Sequence, residues 1–158
     1  MRKPAVSKEW TIRPIGVVRS SIKKMAEAPK QGALAGTEAE IAVDPEFAEA
    51  LSGLTMRVTP SDRRPRTRGM PGKAGRIIVL CWMHRADRDR LKVHPRGRQD
   101  VPERGVFGTR SPHRPNPISL HTVELVSVLG NVLRVRGMDA VDGTPVLDIK
   151  PHVPEWDG

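Results

Sequence analysis

The stretch ISLHTVELVSVL (residues 118–129), the dipeptide Gly130-Asn131 and the segment VLRVRG (residues 132–137) decide the fold of this chain. The first segment is long and rich in β-branched residues, and Gly-Asn supplies a two-residue hairpin turn. The second segment then returns antiparallel to the first. Downstream, AVDGT (residues 140–144) holds an Asp-Gly turn, and PVLDIK (residues 145–150) reads as one more strand before PHVPEWDG. Upstream, IIVLCW (residues 77–82) is a continuous apolar run that reads as a buried strand. Residues 38–43 alternate polar and apolar as a strand does, and residues 11–19 (TIRPIGVVR) read as a strand interrupted by Pro14, hence an edge or a bulge.

One helix signal interrupts this series. Asp44 precedes Pro45 as an N-cap precedes proline at the first helical position, and EFAEAL makes a short helix ending near Gly53. Residues 28–37 are a Pro/Gly-rich loop, and residues 55–75 carry three prolines and three glycines without any period, an irregular loop. About seven strands, one short helix and no βαβ alternation predict a mainly β chain of a single domain over residues 1–158, an antiparallel barrel or sandwich.

Composition narrows the class. A length of 158 residues suits one domain with a real core. Gly and Pro together number 29, well above the usual ~12% of residues, so the chain turns often. No run approaches the roughly 20 apolar residues of a spanning helix, and MRKPAVSKEW lacks the apolar stretch of a secretory signal. A cytoplasmic, soluble protein without a membrane partner is the expectation. Cys81 is the one cysteine, so no internal disulfide forms, and the five histidines lack paired metal spacing; no metal is expected. Tyr is absent, which argues against a base-stacking sheet face. The net charge is +9, and the whole excess sits in residues 57–104, with 14 Lys or Arg against five acidic residues. Such clustering reads as the electrostatic footprint of a polyanion, with a solvated basic insertion as the plainer alternative.

No G-x-G-x-x-G follows a strand, so no dinucleotide site is supported. GMPGKAG (residues 69–75) has the wrong glycine spacing for a phosphate loop, and Ala74 stands where Ser or Thr must hold magnesium. The dense polar stretch GVFGTRSPHRPNP (residues 105–117) remains. Its three prolines forbid a regular helix but stiffen the loop, which suits guanidiniums held toward a ligand. DAVDGTPVLDIKP (residues 139–151) brings three carboxylates and Lys150 together.

These two segments, with IGVVRS (15–20), APKQG (28–32), EAEIAV (38–43) and IIVLCWMHR (77–85), resemble the TrmO family, also called YaeB or TsaA-like. The resemblance spans nearly the whole chain apart from its termini and residues 55–76. It implies a small antiparallel β-barrel, a homodimer, and S-adenosyl-L-methionine as cofactor near the subunit interface. It further implies tRNA as partner and methylation of N6 of threonylcarbamoyl-adenosine beside the anticodon. By motif, the implied cofactor-binding residues are Pro29, Lys30, Gln31, His84, Arg85, Arg110, Leu120, Asp142, Gly143, Thr144 and Pro145. A carboxylate or lysine assisting deprotonation of N6 points to Asp148 and Lys150, and Arg96, Arg98 and Arg114 are the expected RNA contacts. An acceptor other than this nucleoside, in RNA or as a small molecule, and a non-catalytic basic RNA-binding barrel are the alternatives.

The chain also departs from the family pattern. Lys30 replaces an Arg, Gly108 an Ala, Ser119 a Gly and His152 a Tyr. Residues 55–76 carry no recognised motif of the family, whether as an insertion or as a shifted reading frame.

Overall fold

The computed structural model describes residues 10–28, 36–54 and 75–157. The expected helix-poor, antiparallel architecture is present. Six strands close a barrel: β1 (Gly16–Ser20), β2 (Glu38–Val43), β3 (Arg76–Trp82), β6 (Ile118–Leu129), β7 (Val132–Arg136) and β8 (Pro145–Pro151). Their order around the wall is β1-β2-β7-β6-β3-β8, with β8 returning to β1 and every pairing antiparallel. Two short strands, β4 (Lys92–Val93) and β5 (Arg104–Gly105), pair outside the barrel within the basic stretch. A single turn of α-helix, α1 (Pro154–Asp157), follows β8.

The core is the inward half of each strand. Val18, Ile41, Val79, Leu125, Leu133 and Val146 are fully buried, and Met138 and Ala140 join them from the segment after β7. Burial of each such side chain contributes about 1.5–3 kcal/mol. Two register shifts, at Leu80/Cys81 between β3 and β8 and at Leu125/Ser127 between β6 and β7, bend the wall. Bulges of this kind let six short strands curve back on themselves. Gly16 is needed at the β1–β2 seam, because a Cβ there would overlap Ala42 backbone and lie 2.8 Å from Val43 Cα. The hairpin tip is tied to β2 by Val43 N–H donating to Asn131 O at 2.9 Å.

Three local readings change. The segment IIVLCW is covered on one face only: Ile77, Val79 and Cys81 are buried, whereas Ile78, Leu80 and Trp82 look outward. A barrel has one interior, so an all-apolar strand still leaves half its side chains outside. The helix read at 45–53 is a 3₁₀ helix, Pro45–Leu51, and the Asp44 side chain makes no cap hydrogen bond. Its backbone carbonyl accepts from Phe47 N–H instead, at 2.9 Å. The strand read at 11–19 begins only at Gly16, past Pro14, which removes a ladder donor. The loop read at 55–75 lies, up to residue 74, outside the described residues.

Candidate functional site

The Asp-Gly turn before β8 is sewn to the end of β1. Gly143 N–H donates to Val18 O at 2.8 Å, Val18 N–H to Thr144 O at 2.9 Å, and Asp142 N–H to Ile22 O at 2.8 Å. Gly143 adopts φ +77°, a conformation that costs glycine little and other residues more. Thr144 is buried, and its hydroxyl donates to Val141 O at 2.6 Å. The Asp142 carboxylate accepts Ser20 N–H at 3.0 Å and pairs with Lys23 Nζ at 2.8 Å. The Lys23 ammonium first, then the Ser20 N–H, hold the Asp142 carboxyl below its ordinary value.

The corner after β3 supplies the facing wall. Met83 N–H donates to Pro117 O at 2.7 Å, and the Arg85 guanidinium donates to Lys23 O at 3.0 Å. Between corner and turn lies a shallow depression lined by Met25, Met83, His84, Arg85, Ala86, Val141 and Thr144. Partial burial, then the Arg85 charge, lower the pKa of His84, so its imidazole is neutral at pH 7.

The proline-rich loop between β5 and β6 is organised by Arg114. Its Nε donates to Ser111 O at 2.9 Å, and its Nη2 to Thr109 O at 2.8 Å and Val106 O at 3.1 Å. The neighbouring 84–91 loop braces it, with Asp87 N–H donating to His113 Nδ1 at 3.0 Å and Arg88 Nε to Pro115 O at 3.0 Å. Arg88 also lies over the Trp82 ring, 5.5 Å from its centroid. Arg110, on the same loop, is exposed and makes no hydrogen bond or ion pair among the described residues.

The structure therefore brings His84, Arg85 and Thr144 to one cleft, with Asp142, Gly143 and Pro145 in the turn that forms its wall. Arg110 and Leu120 do not line that cleft, and Leu120 looks outward from β6 at 49% exposure. Asp148 and Lys150 sit on the outer face of β8, opposite Leu80 and Ile78, paired with each other at 2.7 Å. Arg98 is exposed and paired with Asp100, and Arg114 is spent on loop carbonyls. Pro29, Lys30, Gln31 and the Arg96 side chain lie outside the described residues. Among the described residues no group of three or more His, Cys, Asp or Glu is placed to hold a metal. No described helix is long and apolar enough to cross a membrane.

Sequence reading missed Ser20, Lys23 and Met25. Lys23 lies 119 residues from Asp142, and the Lys23-Lys24 pair before MAEAP carries no local signal of that pairing.

Fold and cleft together define a small antiparallel β-barrel domain whose site is built from turns, unlike doubly wound nucleotide-binding folds. The model of the tRNA-methyltransferase O N-terminal domain matches residues 63–158, more than half of the chain, and the chain belongs to the TrmO family. A protein of Methanothermobacter thermautotrophicus named "Probable S-adenosyl-L-methionine-binding protein" is 44% identical over 149 residues, covering 94% of each chain. An S-adenosyl-L-methionine-binding protein of Archaeoglobus fulgidus is 44% identical over 146 residues, 92% of this chain and 91% of its own length. The crystal structure of TrmO from Pseudomonas aeruginosa superposes with a TM-score of 0.68 at 31% identity, covering 95% of this chain. The chain spans 58% of that solved chain.

Proposed function

We propose that this chain is an S-adenosyl-L-methionine-dependent methyltransferase acting on N6 of threonylcarbamoyl-adenosine beside the tRNA anticodon. The observation that carries the reading is the cleft between the Met83–Ala86 corner and the Asp142–Pro145 turn, in a chain of the TrmO family. Two relatives named for binding this cofactor match over more than nine-tenths of their own length, which supports the same ligand here.

The residues fit such a ligand. Met25, Met83 and Val141 offer an apolar wall to its adenine, and the Asp142 carboxylate suits a cationic amino or sulfonium group. Arg110, with no partner among the described residues, suits its carboxylate. Pro29, Lys30 and Gln31, which follow the Met25 wall in sequence, complete the set. When bound, the cofactor supplies an electrophilic methyl group. Orientation is then the main task of the chain, and the bonds that tie turn, β1 and corner together fix it. Asp148, beside Lys150, is the carboxylate offered to the N6 proton.

Lys92 and Arg104, exposed and without ion pairs among the described residues, join Arg96 and Arg98 in attracting tRNA phosphates. A second copy covers the outward strip of Leu80, Trp82, Ile118 and Leu120 on β3 and β6, giving a homodimer.

The test is a calorimetric titration with S-adenosyl-L-methionine, followed by transfer of labelled methyl to tRNA with and without the threonylcarbamoyl group. Binding, with transfer to the modified tRNA alone, is the expected result. Absence of binding heat would leave a non-catalytic RNA-binding barrel. Equal transfer to both tRNAs would move the acceptor elsewhere.

A further inference from the structure

Inside the barrel mouth, away from the residues lining the cleft, three side chains form a hydrogen-bonded chain. Asp139 Oδ1 lies 2.8 Å from His121 Nδ1, and His121 Nε2 lies 2.8 Å from Ser119 Oγ. Ser119 and His121 are two apart on β6 and both face inward, since they pair with the buried Cys81 and Val79 of β3. Asp139 comes from the segment after β7, so two separate pieces of the wall build the array. The carboxylate against Nδ1 selects the tautomer with its proton on Nδ1. That leaves Nε2, at 2.8 Å, as the nearer acceptor for the Ser119 hydroxyl, with the Cys81 carbonyl at 3.4 Å.

We propose that Ser119 is a base-activated nucleophile and that the barrel mouth cleaves small, unhindered acyl esters. The order hydroxyl, imidazole, carboxylate, with both contacts at 2.8 Å, is what such activation requires, and it is recognised by geometry rather than by sequence position. The array is placed to be reached. Ser119 is half-buried and one residue pair from the rim, beyond which Trp82 and Ile118 end the β3–β6 ladder. The His121 side chain is 10% exposed, which shields the base from bulk water.

Cys81, across the ladder, does not compete. Burial first, then the Asp139 charge, push its pKa to about 12, so its thiol keeps its proton at neutral pH.

The chemistry balances without a cofactor. Ser119 Oγ bonds to the ester carbonyl carbon as its proton passes to His121 Nε2. Collapse of the adduct breaks the bond to the leaving oxygen, which takes that proton. Water then attacks the Ser119 ester by the same route and releases the acid and the free hydroxyl. Asp139 holds the imidazole in position and offsets its charge while it carries the extra proton.

The experiment uses the intact chain with p-nitrophenyl acetate and, separately, a fluorophosphonate probe. The expected result is an acetyl or phosphonyl adduct on the peptide containing Ser119, with ester cleavage about 10²–10⁴ times faster than in Ser119→Ala. His121→Gln and Asp139→Asn slow labelling about a hundredfold or more. Ser119→Gly abolishes labelling while leaving the circular dichroism spectrum and the affinity for S-adenosyl-L-methionine unchanged. Adducts spread over exposed serines such as Ser52, or ester cleavage by Ser119→Ala equal to that of the parent, overturn the proposal. If Asp139→Asn fails to fold, Ser119→Ala and His121→Gln decide the matter. Cofactor binding is read independently, so failure of one reading is distinct from failure of the other.

Discussion

Replacing Arg114 separates a scaffold role from a nucleic-acid role. The side chain donates to Ser111 O, Thr109 O and Val106 O through one planar fork. In Arg114→Ala, Val106 O keeps two donors, Thr109 N–H at 3.1 Å and the Thr109 hydroxyl at 3.0 Å, so only Ser111 O and Thr109 O lose this donor. Each bond to a charged donor contributes about 1.5–3 kcal/mol, and water reaching this half-exposed loop recovers part of that. The net loss of loop order is then about 1–3 kcal/mol. Arg110 rides on this loop, and its ordering has to be supplied when ligand binds, so cofactor affinity falls by about 5- to 150-fold. Arg114→Lys does not rescue, because one ammonium cannot span three carbonyls as the guanidinium does. Calorimetry gives the affinities, and tRNA binding across a salt series gives the electrostatic contribution. The expected pattern is weakened cofactor binding with an unchanged salt slope. Unchanged cofactor affinity together with a salt slope reduced by about one would make Arg114 a phosphate contact and refute the scaffold argument.

Asp142→Asn keeps an acceptor for Ser20 N–H but loses the charge facing Lys23, so cofactor affinity drops about 10- to 100-fold in the same titration. Because its folded value is depressed, the Asp142 pairing is present above the unfolded value of about 3.9 and is lost as pH falls through the lower folded value. Acid unfolding of Asp142→Asn therefore depends less on pH in that window than acid unfolding of the parent. Cys81 has the opposite sign: its stabilisation is complete below 9.0 and is lost as pH rises toward about 12, because the unfolded chain releases a proton that the native thiol keeps. Unfolding free energies from denaturant titrations at rising alkaline pH fall less in Cys81→Ala, and the difference grows across that window. Leu133→Ala, at a fully buried core position, lowers unfolding free energy by about 2–5 kcal/mol in a denaturant titration. Arg98→Gln flattens the salt dependence of tRNA binding, whereas Asp100→Asn, which releases Arg98 from its pair, steepens it.

Strands and turns were legible because their causes are local. The Gly130-Asn131 turn, the alternation of residues 38–43 and the Asp142-Gly143 turn each lie within a few residues of the chemistry that produces them, and all three stand where they were read. The 3₁₀ helix at Pro45–Leu51 was readable as helical but not as to type, since a seven-residue segment tied by Phe47 N–H to Asp44 O is governed by its ends. The site was legible only in part. The D-G-T-P turn and the His84-Arg85 corner stand out as motifs, yet nothing near Lys23 announces that its carbonyl takes Arg85 and its ammonium takes Asp142. By itself the sequence determines the β class, the turns, the family motifs and the place of the charge excess, because propensity, periodicity and charge act over short stretches. The tertiary structure alone decides the order β1-β2-β7-β6-β3-β8, which face of IIVLCW is wet, and the meetings of Asp142 with Lys23 and of Ser119 with His121 and Asp139. The meeting of Asp142 with Lys23 follows from closure: once the last strand pairs with the first, register carries residues from opposite ends of the chain to one rim, and no local preference encodes that distance. Ser119 and His121 share one face of β6 by strand alternation, and it is Asp139 that the fold brings to them.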